Sequence, residues 1–149
     1  MFLFVYLICF VLDMGKGCAA RSVRPVSRKQ LSGGAAESVE LIKAKLTEKG
    51  FNIFTTVDHA KNAAGVGLEL RPTTVIIFGN PNVGTKLMQC AQEYAIDLPQ
   101  KVLVYEDADG KVWAVINNQL ALADKHGAGG CQAVVEKVNG ALGNLLESF

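Results

Sequence analysis

Residues 69–86 constrain the fold of this chain more than any other stretch. Residues 73–78 form a continuous run of β-branched and aromatic residues, which is typical of a strand buried on both faces or central in its sheet. Gly79, Asn80 and Pro81 follow directly, and Asn before Pro predicts a helix that begins with a cap and with Pro at its first position. The chain is therefore expected to run from a central strand straight into a capped helix.

Periodic patterns on either side of this stretch predict the remaining elements. Helical spacing of apolar residues covers residues 37–49 and 131–146, and a short helix is predicted after Asp58. Strand patterns cover residues 51–57, 101–106 and 111–116, the last two joined by a turn that ends in Gly110. These elements predict an α+β class: a two-layer sandwich with a mainly antiparallel four-stranded sheet and helices packed on one face.

Length and charge limit the number of domains and the class of partner. A chain of 149 residues suits one domain. Residues 1–35 carry five basic residues and one acid, whereas residues 36–149 carry ten basic and thirteen acidic residues. We therefore expect a leader or disordered basic segment over 1–34 and a single α+β domain over 35–149. A mildly acidic domain lacks the clustered Lys and Arg that nucleic acid requires, so nucleic acid is not expected as a partner.

The N-terminal segment allows several interpretations. Residues 1–12 are almost wholly apolar, too few to span a bilayer, and suit the apolar region of a secretory signal except that no basic residues precede them. Residues 14–36 contain no acid and have the composition of an organellar transit peptide, of a flexible arm or of a disordered tail. A translation start at Met14 or later is a further alternative. The default expectation is a cytoplasmic domain, and export or organellar import is the alternative if the segment is a targeting signal.

The four cysteines show no CxxC spacing. Cys9 and Cys18 lie in the N-terminal segment, while Cys90 and Cys131 lie in or beside helical patterns, where a free thiol behaves as a small buried hydrophobe. We expect free thiols and a reducing compartment, with a Cys90–Cys131 disulfide as the lesser alternative.

Asp58, His59 and His126 are the titratable residues best suited to catalysis or metal binding. An acid and an imidazole can act as acid and base, and both histidines could ligate a metal with a carboxylate nearby. The simpler interpretation makes Asp58 a helix N-cap, His59 a first-turn residue and His126 a residue that stabilises the end of its helix. No motif decides between them.

Four further residues could contact a small ligand. The helix that begins at Pro81 presents Asn80, Gly84 and Thr85, where an anionic or carbonyl group could bind, or where the residues simply form a packed, capped turn. Arg71 could hold a carboxylate or pair with a surface acid. We expect a pocket between Asp58–His59, the 79–85 turn and His126.

These motifs also carry a family likeness. The segments FTTVDHAKNAAGVGLELRPTTVIIFGNPNVGTKLMQ and IDLPQKVLVYEDADGKVWAVIN closely resemble the domain of unknown function three-hundred-two family, over residues 51–126. Where that family often has a Tyr-Asn-Asp-Pro-like segment, this chain has Ile116-Asn117-Asn118-Gln119. The resemblance implies a small α+β domain and self-association, and it implies no activity, because the family has none established.

The resulting hypothesis is a non-catalytic small-ligand-binding or sensory module that acts as a homodimer, with a small anionic or metal ligand. The alternative is an enzyme or metal-binding protein that uses His59 and His126 with Asp58. The cofactor is left open.

Overall fold

The computed structural model describes residues 24–149, which form an antiparallel sheet of five strands. The strands are β1 (Val26–Leu31), β2 (Asn52–Asp58), β3 (Thr73–Gly79), β4 (Gln100–Glu106) and β5 (Val112–Asn117), in the spatial order β1-β5-β4-β3-β2. The expected α+β class is confirmed, and the sheet has one strand more than the four expected.

Helices connect the strands and close the chain. They are α1 (Ala35–Glu48), α2 (His59–Ala64), α3 (Pro81–Cys90), α4 (Gln119–Lys125) and α5 (Gln132–Glu147), with 3₁₀ turns at Gln92–Asp97 and Gly129–Cys131. The Leu98–Pro99 peptide, just before β4, is cis. Within residues 24–149 no helix combines the length and hydrophobicity needed to cross a membrane.

The additional strand, β1, lies inside the segment for which the sequence predicts a leader or disordered arm. It pairs with β5 along its whole length, from Val26 opposite Asn117 to Leu31 opposite Val112. Its alternating exposure is that of an edge strand, where charged side chains are common because only one edge is paired. The targeting interpretations, together with Cys9 and Cys18, fall mainly on residues 1–23, which lie outside the described part of the chain.

The core lies between one face of the sheet and the helices α1 and α5. Ile76 and Phe78 of β3 are fully buried, as the apolar run in the sequence predicts for a central strand. They pack with alternate residues of β4 and β5 and with the apolar faces of the two helices; the cluster includes Ile42, Leu46, Val102, Val104, Ala114, Ile116, Val135, Val138 and Leu142.

The other face of the sheet carries a second apolar surface. Strand alternation and register place Val75, Leu103 and Val115 side by side there, next to the cross-strand pair Tyr105 and Trp113. All five side chains are half-buried. The core-forming residues of α1 and α5 lie on the opposite side, so we call this surface the open face.

A disulfide joins Cys90 and Cys131, which corrects the expectation of free thiols. The two Cα atoms are 5.8 Å apart although 41 positions separate the residues in sequence. The sequence pattern was misleading because α3 and the 3₁₀ turn before α5 meet only in the folded chain. The default expectation of a reducing compartment rested on those free thiols and loses that support.

Candidate functional site

The structure divides the seven predicted site residues between two ends of the sheet. Asp58 pairs with Thr74 at the start of β3, whereas Asn80 directly follows the last residue of that strand, Gly79. Five residues of strand span about 17 Å. A single pocket that contains both Asp58–His59 and the 79–85 turn is therefore not formed.

At the first end, the polar side chains have structural partners. Oδ1 of Asp58 accepts a hydrogen bond from the backbone N–H of Lys61 at 2.8 Å, which is the predicted N-cap of α2. His59 is exposed at the first position of that helix. Nε of Arg71 donates to the carbonyl of Glu106 at 3.3 Å, so this arginine anchors the entry of β3 against the end of β4.

At the second end, the turn after β3 is capped as the sequence predicts. Oδ1 of Asn80 accepts from the backbone N–H of Asn82 at 3.0 Å. Gly84 is half-buried, and a Cβ added there would lie 3.8 Å from Leu98. Thr85 is exposed. These contacts describe a capped turn packed on its neighbours, and they leave Thr85 accessible to solvent.

His126 lies beyond the same end, buried beside an acid that the sequence did not indicate. Its Nε2 is 2.6 Å from Oδ2 of Asp97, and its side chain is only 6 % exposed. Nζ of Lys125 contacts the same oxygen at 2.8 Å. His59 lies by the start of β3 and His126 lies beyond the end of that strand, so the two residues are more than about 13 Å apart. Two ligands of one metal must each lie about 2 Å from the ion. The two histidines therefore do not share a metal, and residues 24–149 contain no group of three His, Cys, Asp or Glu side chains arranged to hold one.

A buried hydrogen-bond network adjoins this ion pair. The hydroxyl of Tyr94 donates to the backbone carbonyl and to Oε1 of Gln119, at 3.1 and 3.2 Å. The side-chain amides of Gln119 and Gln100 bond each other reciprocally at 3.1 and 3.2 Å. The ring of Tyr94 lies 5.2 Å from that of His126, which connects the network to the ion pair. We call the whole group the polar cluster: Tyr94, Asp97, Gln100, Gln119, Lys125 and His126.

The electrostatics of the polar cluster favour fixed protonation states. Burial, and secondly the charge of Asp97, raise the pKa of Tyr94 to about 12, so this phenol stays protonated and donates its hydrogen bond. Hydrogen bonds from Lys125 and then from His126 hold the pKa of Asp97 below its ordinary value, so this carboxylate stays ionised. Every buried side-chain nitrogen and oxygen of the described residues has a partner. The cluster therefore joins elements of the fold, and it leaves no buried donor among the described residues for a ligand.

No local signal in the sequence could have revealed this cluster. Its partners are 19 to 29 positions apart, and glutamine and tyrosine have no motif that announces a buried amide pair. Gln100 and Gln119 are separated in sequence by a complete β-hairpin. Only the pairing of β4 with β5 brings them together.

A hollow of about 660 Å³, open to solvent, lies beside β1. Its lining includes Arg24, Arg28 and Asn118. Arg28 is held over the ring of Trp113, at 4.8 Å from the centroid. Two arginines in the lining give the hollow a positive field that suits an anion.

Fold and site together define a two-layer α+β domain with a satisfied internal polar cluster, an open sheet face and a basic hollow. The family described as Domain of unknown function DUF302 matches residues 27–147. The chain belongs to this family, as the sequence resemblance indicated.

A crystal structure of the uncharacterized conserved protein DUF302 from Bacillus stearothermophilus has the same fold. The TM-score is 0.76 at 17 % sequence identity, over 84 % of this chain and 98 % of that one. At this identity the likeness is evidence of the fold alone.

Two curated relatives have a name that refers to transport. The fluoride-specific ion channel FluC 1 of Brucella suis biovar 1 is 47 % identical over 94 residues, which cover 63 % of this chain and 37 % of the relative. The fluoride-specific ion channel FluC 2 of Brucella melitensis biotype 1 is also 47 % identical over 94 residues, covering 63 % and 35 %. The match spans about a third of the length of these relatives.

Proposed function

We propose that this chain is a non-catalytic sensory or small-ligand-binding module that works as a homodimer. The observation that carries the proposal is an exposed apolar arm, residues 65–71, between α2 and β3. Val66, Leu68 and Leu70 are 73 %, 65 % and 49 % exposed. Three large apolar side chains exposed within five residues of chain favour a site of protein contact, because water solvates them poorly.

The open face gives a second copy more surface to cover. It presents Tyr105 and Trp113 with Arg28 over the indole, and these three residue types are enriched in protein interfaces. A sheet face of five strands measures about 500 Å² in projection. Together with the arm it approaches the roughly 800 Å² per partner that a stable complex buries. A second copy is the favoured partner because one twofold interface covers the same surface on both chains.

The relatives support a module that serves a larger protein. Their name describes a fluoride channel, and the part that matches this chain is about a third of each. We assign the channel activity of those proteins to the remaining two thirds and an accessory role to the matched part. For this chain we accordingly propose sensing or assembly, and not transport.

The ligand in this proposal is a small anion bound in the basic hollow. Arg24 and Arg28 line it, and a guanidinium group binds an oxyanion through two parallel hydrogen bonds. The hollow lies next to the open face through Arg28, so an anion bound there would alter the charge at the edge of the dimer interface.

An enzyme is the second candidate, favoured by the 2.6 Å contact of His126 with Asp97. A carboxylate that orients an imidazole is the usual arrangement of a general base. The burial of His126 weighs against it, because a general base must approach the substrate to within about 3 Å. If the purified chain shows turnover and His126→Ala leaves that turnover unchanged, the enzyme candidate is excluded.

Native mass spectrometry and sedimentation of the full chain, purified without affinity histidines or added metal, test the main proposal. We expect a dimer, which Leu68→Asp converts to a monomer with little change in melting temperature. Ile96→Asp is the matched control, because Ile96 is 77 % exposed and lies outside the arm and the open face. A monomeric wild-type chain, or a dimer that Leu68→Asp leaves intact, would contradict the arm as the interface.

Binding of an anion in the basic hollow is tested with inorganic phosphate as the probe. We expect phosphate to raise the melting temperature of the wild-type chain by mass action and to have less effect on Arg24→Ala and Arg28→Ala. An equal rise in all three proteins would place the anion elsewhere.

A further inference from the structure

The disulfide between Cys90 and Cys131 joins the end of one helix to the start of another. Cys90 is the last residue of α3, and Cys131 ends a 3₁₀ turn and directly precedes α5. Both residues are half-buried, and neither belongs to the fully buried core. Part of each cysteine residue is therefore exposed to solvent, although Cys90 also packs against the core cluster.

The two sulfurs differ in their electrostatic surroundings. Cys131 is the N-cap residue of α5, a helix of 16 residues, where the positive end of the helix dipole stabilises a thiolate. Cys90 lies at the C-terminal end of α3, where the dipole opposes a negative charge. Cys131 is therefore the better leaving group and Cys90 the sulfur that a nucleophile attacks.

The segment that the bridge holds has a buried residue, Ala128, which is 2 % exposed and belongs to the core cluster, and it has glycines on both sides of that residue. Residues 127–131 contain Gly127, Gly129 and Gly130, and a Cβ added at any of them would meet nothing within 4 Å. Apart from the disulfide, the hydrogen bonds that fix this segment include Ala128 N–H to the carbonyl of Ala123 at 2.8 Å and Cys131 N–H to that of Ala128 at 3.1 Å.

We propose that Cys90–Cys131 is a redox-active site whose reduction by a cellular dithiol releases residues 127–131 and the start of α5 from α3. This proposal does not depend on the proposed sensory function. Its partner is defined by chemistry: a dithiol protein or small dithiol that becomes a disulfide.

The exchange conserves atoms and electrons. One thiolate of the reductant attacks Sγ of Cys90, the Cys90–Cys131 bond breaks, and Cys131 leaves with the electron pair and then takes a proton. The second thiol of the reductant then attacks the reductant's first sulfur, which is bonded to Cys90 in the mixed disulfide. Cys90 is displaced as a thiolate and takes a proton. Two electrons and two protons pass from the dithiol to the protein. Reoxidation by a disulfide reverses the steps: the Cys90 thiolate attacks the oxidant to form a mixed disulfide, and the Cys131 thiolate then attacks Sγ of Cys90 and displaces the reduced oxidant.

The first experiment locates the attacked sulfur. The full chain carrying Cys9→Ser and Cys18→Ser, which leaves one cystine, is treated with excess glutathione, quenched with an alkylating reagent and mapped by peptide mass spectrometry. We expect the glutathione adduct on Cys90 and the alkylated thiol on Cys131, by about tenfold over the reverse. Equal labelling, or an adduct mainly on Cys131, would overturn the assigned polarity.

The second experiment separates a redox-active site from a bridge that opens only on unfolding. In the same variant, we expect a reduction rate proportional to the dithiothreitol concentration and unchanged by about 1 M urea. A rate that levels off with dithiothreitol and rises with urea in step with unfolding would overturn the proposal.

Nuclear magnetic resonance of the oxidised and reduced chain tests the structural consequence. We expect the ¹⁵N heteronuclear Overhauser effect to fall within residues 127–131, because their amides become mobile, and to stay unchanged in β4. Reoxidation with oxidised glutathione should restore the original spectrum. An unchanged segment 127–131, or a loss of dispersion across the whole spectrum, would each contradict a local switch.

Discussion

The Nε2 atom of His126 lies 2.6 Å from Oδ2 of Asp97, and Lys125 binds the same oxygen at 2.8 Å. Asp97 closes the 3₁₀ turn after α3, and the two basic residues close α4. One carboxylate thus ties the turn after α3 to the end of α4, and the Cys90–Cys131 bridge ties the end of α3 to the turn before α5. The second end of the sheet is held by a covalent link and a charged link in parallel.

Asp97→Asn should destabilise the domain in a pH-dependent way. The folded state lowers the pKa of Asp97, so its contribution is present above the unfolded pKa of about 3.9 and is lost as the pH falls through the folded value. Loss of hydrogen bonds to a charged group costs about 1.5–3 kcal/mol near neutral pH. Urea unfolding of both proteins measures this difference, which should shrink at about pH 3.

The matched control for that comparison is Asp109→Asn in the exposed hairpin turn. Asp109 uses its backbone, and not its side chain, in the turn hydrogen bond to Asp107. Its replacement should change the free energy of unfolding by less than about 0.5 kcal/mol. If Asp97→Asn lowered the free energy of unfolding equally at both pH values, the charge of Asp97 would contribute nothing to stability.

Gln119→Leu should cost more stability than Tyr94→Phe. Replacing Gln119 removes an amide that is fully buried and leaves the side-chain amide of Gln100 without its reciprocal partner. A buried polar group left unpaired costs about 1–3 kcal/mol, and Gln119→Leu leaves at least one such group without a hydrogen-bond partner. Tyr94→Phe removes one hydroxyl while Gln119 Oε1 keeps its bond from Gln100, so about 1 kcal/mol is expected. Chemical denaturation ranks the two variants, and the reverse order would refute the network as described.

The features that the sequence predicted correctly are those decided within a few residues. Asp58 and Asn80 cap their helices through backbone amides two or three positions away. Gly110 ends its hairpin turn with φ of +74°, as a turn glycine should. Each depends on local backbone geometry, which residue identity largely determines.

The features that were missed depend on distant parts of the chain. The sequence of β1 resembles a basic disordered segment because Lys29 and Arg28 dominate its composition. An edge strand needs apolar residues on only one face, so its strand pattern is weak. The charge of Lys29 is satisfied by carbonyls of Glu147 and Phe149 at the other terminus. Neither this contact nor the approach of α3 to the turn before α5 leaves a periodic signal in the sequence.

Replacing both Cys90 and Cys131 by serine should lower the melting temperature. The bridge spans 41 positions, and the loss of loop-closure entropy in the unfolded chain is worth up to about 4 kcal/mol. For a chain of this size the expected fall is about 10 °C by calorimetry. Dithiothreitol should lower the melting temperature of the wild-type chain similarly and leave the double variant unchanged. Equal melting temperatures of the oxidised wild-type chain and the double variant would mean that the bridge does not stabilise the folded chain.

Alanine at two glycines should change stability in opposite directions. Gly110 has φ of +74°, a conformation that costs an alanine roughly 1–2 kcal/mol, so Gly110→Ala should destabilise the hairpin. Gly140 lies exposed within α5 with no positive φ, and a Cβ there would meet nothing within 4 Å. Gly140→Ala should therefore stabilise the domain by about 0.5–1 kcal/mol, because alanine loses less backbone entropy in a helix.

Gly110→Asn separates backbone strain from other effects of a side chain in the turn. Asparagine tolerates the left-handed region better than alanine, so this variant should recover part of the stability that Gly110→Ala loses. Urea titration of the three variants against the wild-type chain gives the comparison. If Gly110→Asn were as unstable as Gly110→Ala, positive φ would not be the cause. If Gly140→Ala were destabilising as well, α5 would not be a regular exposed helix at that position.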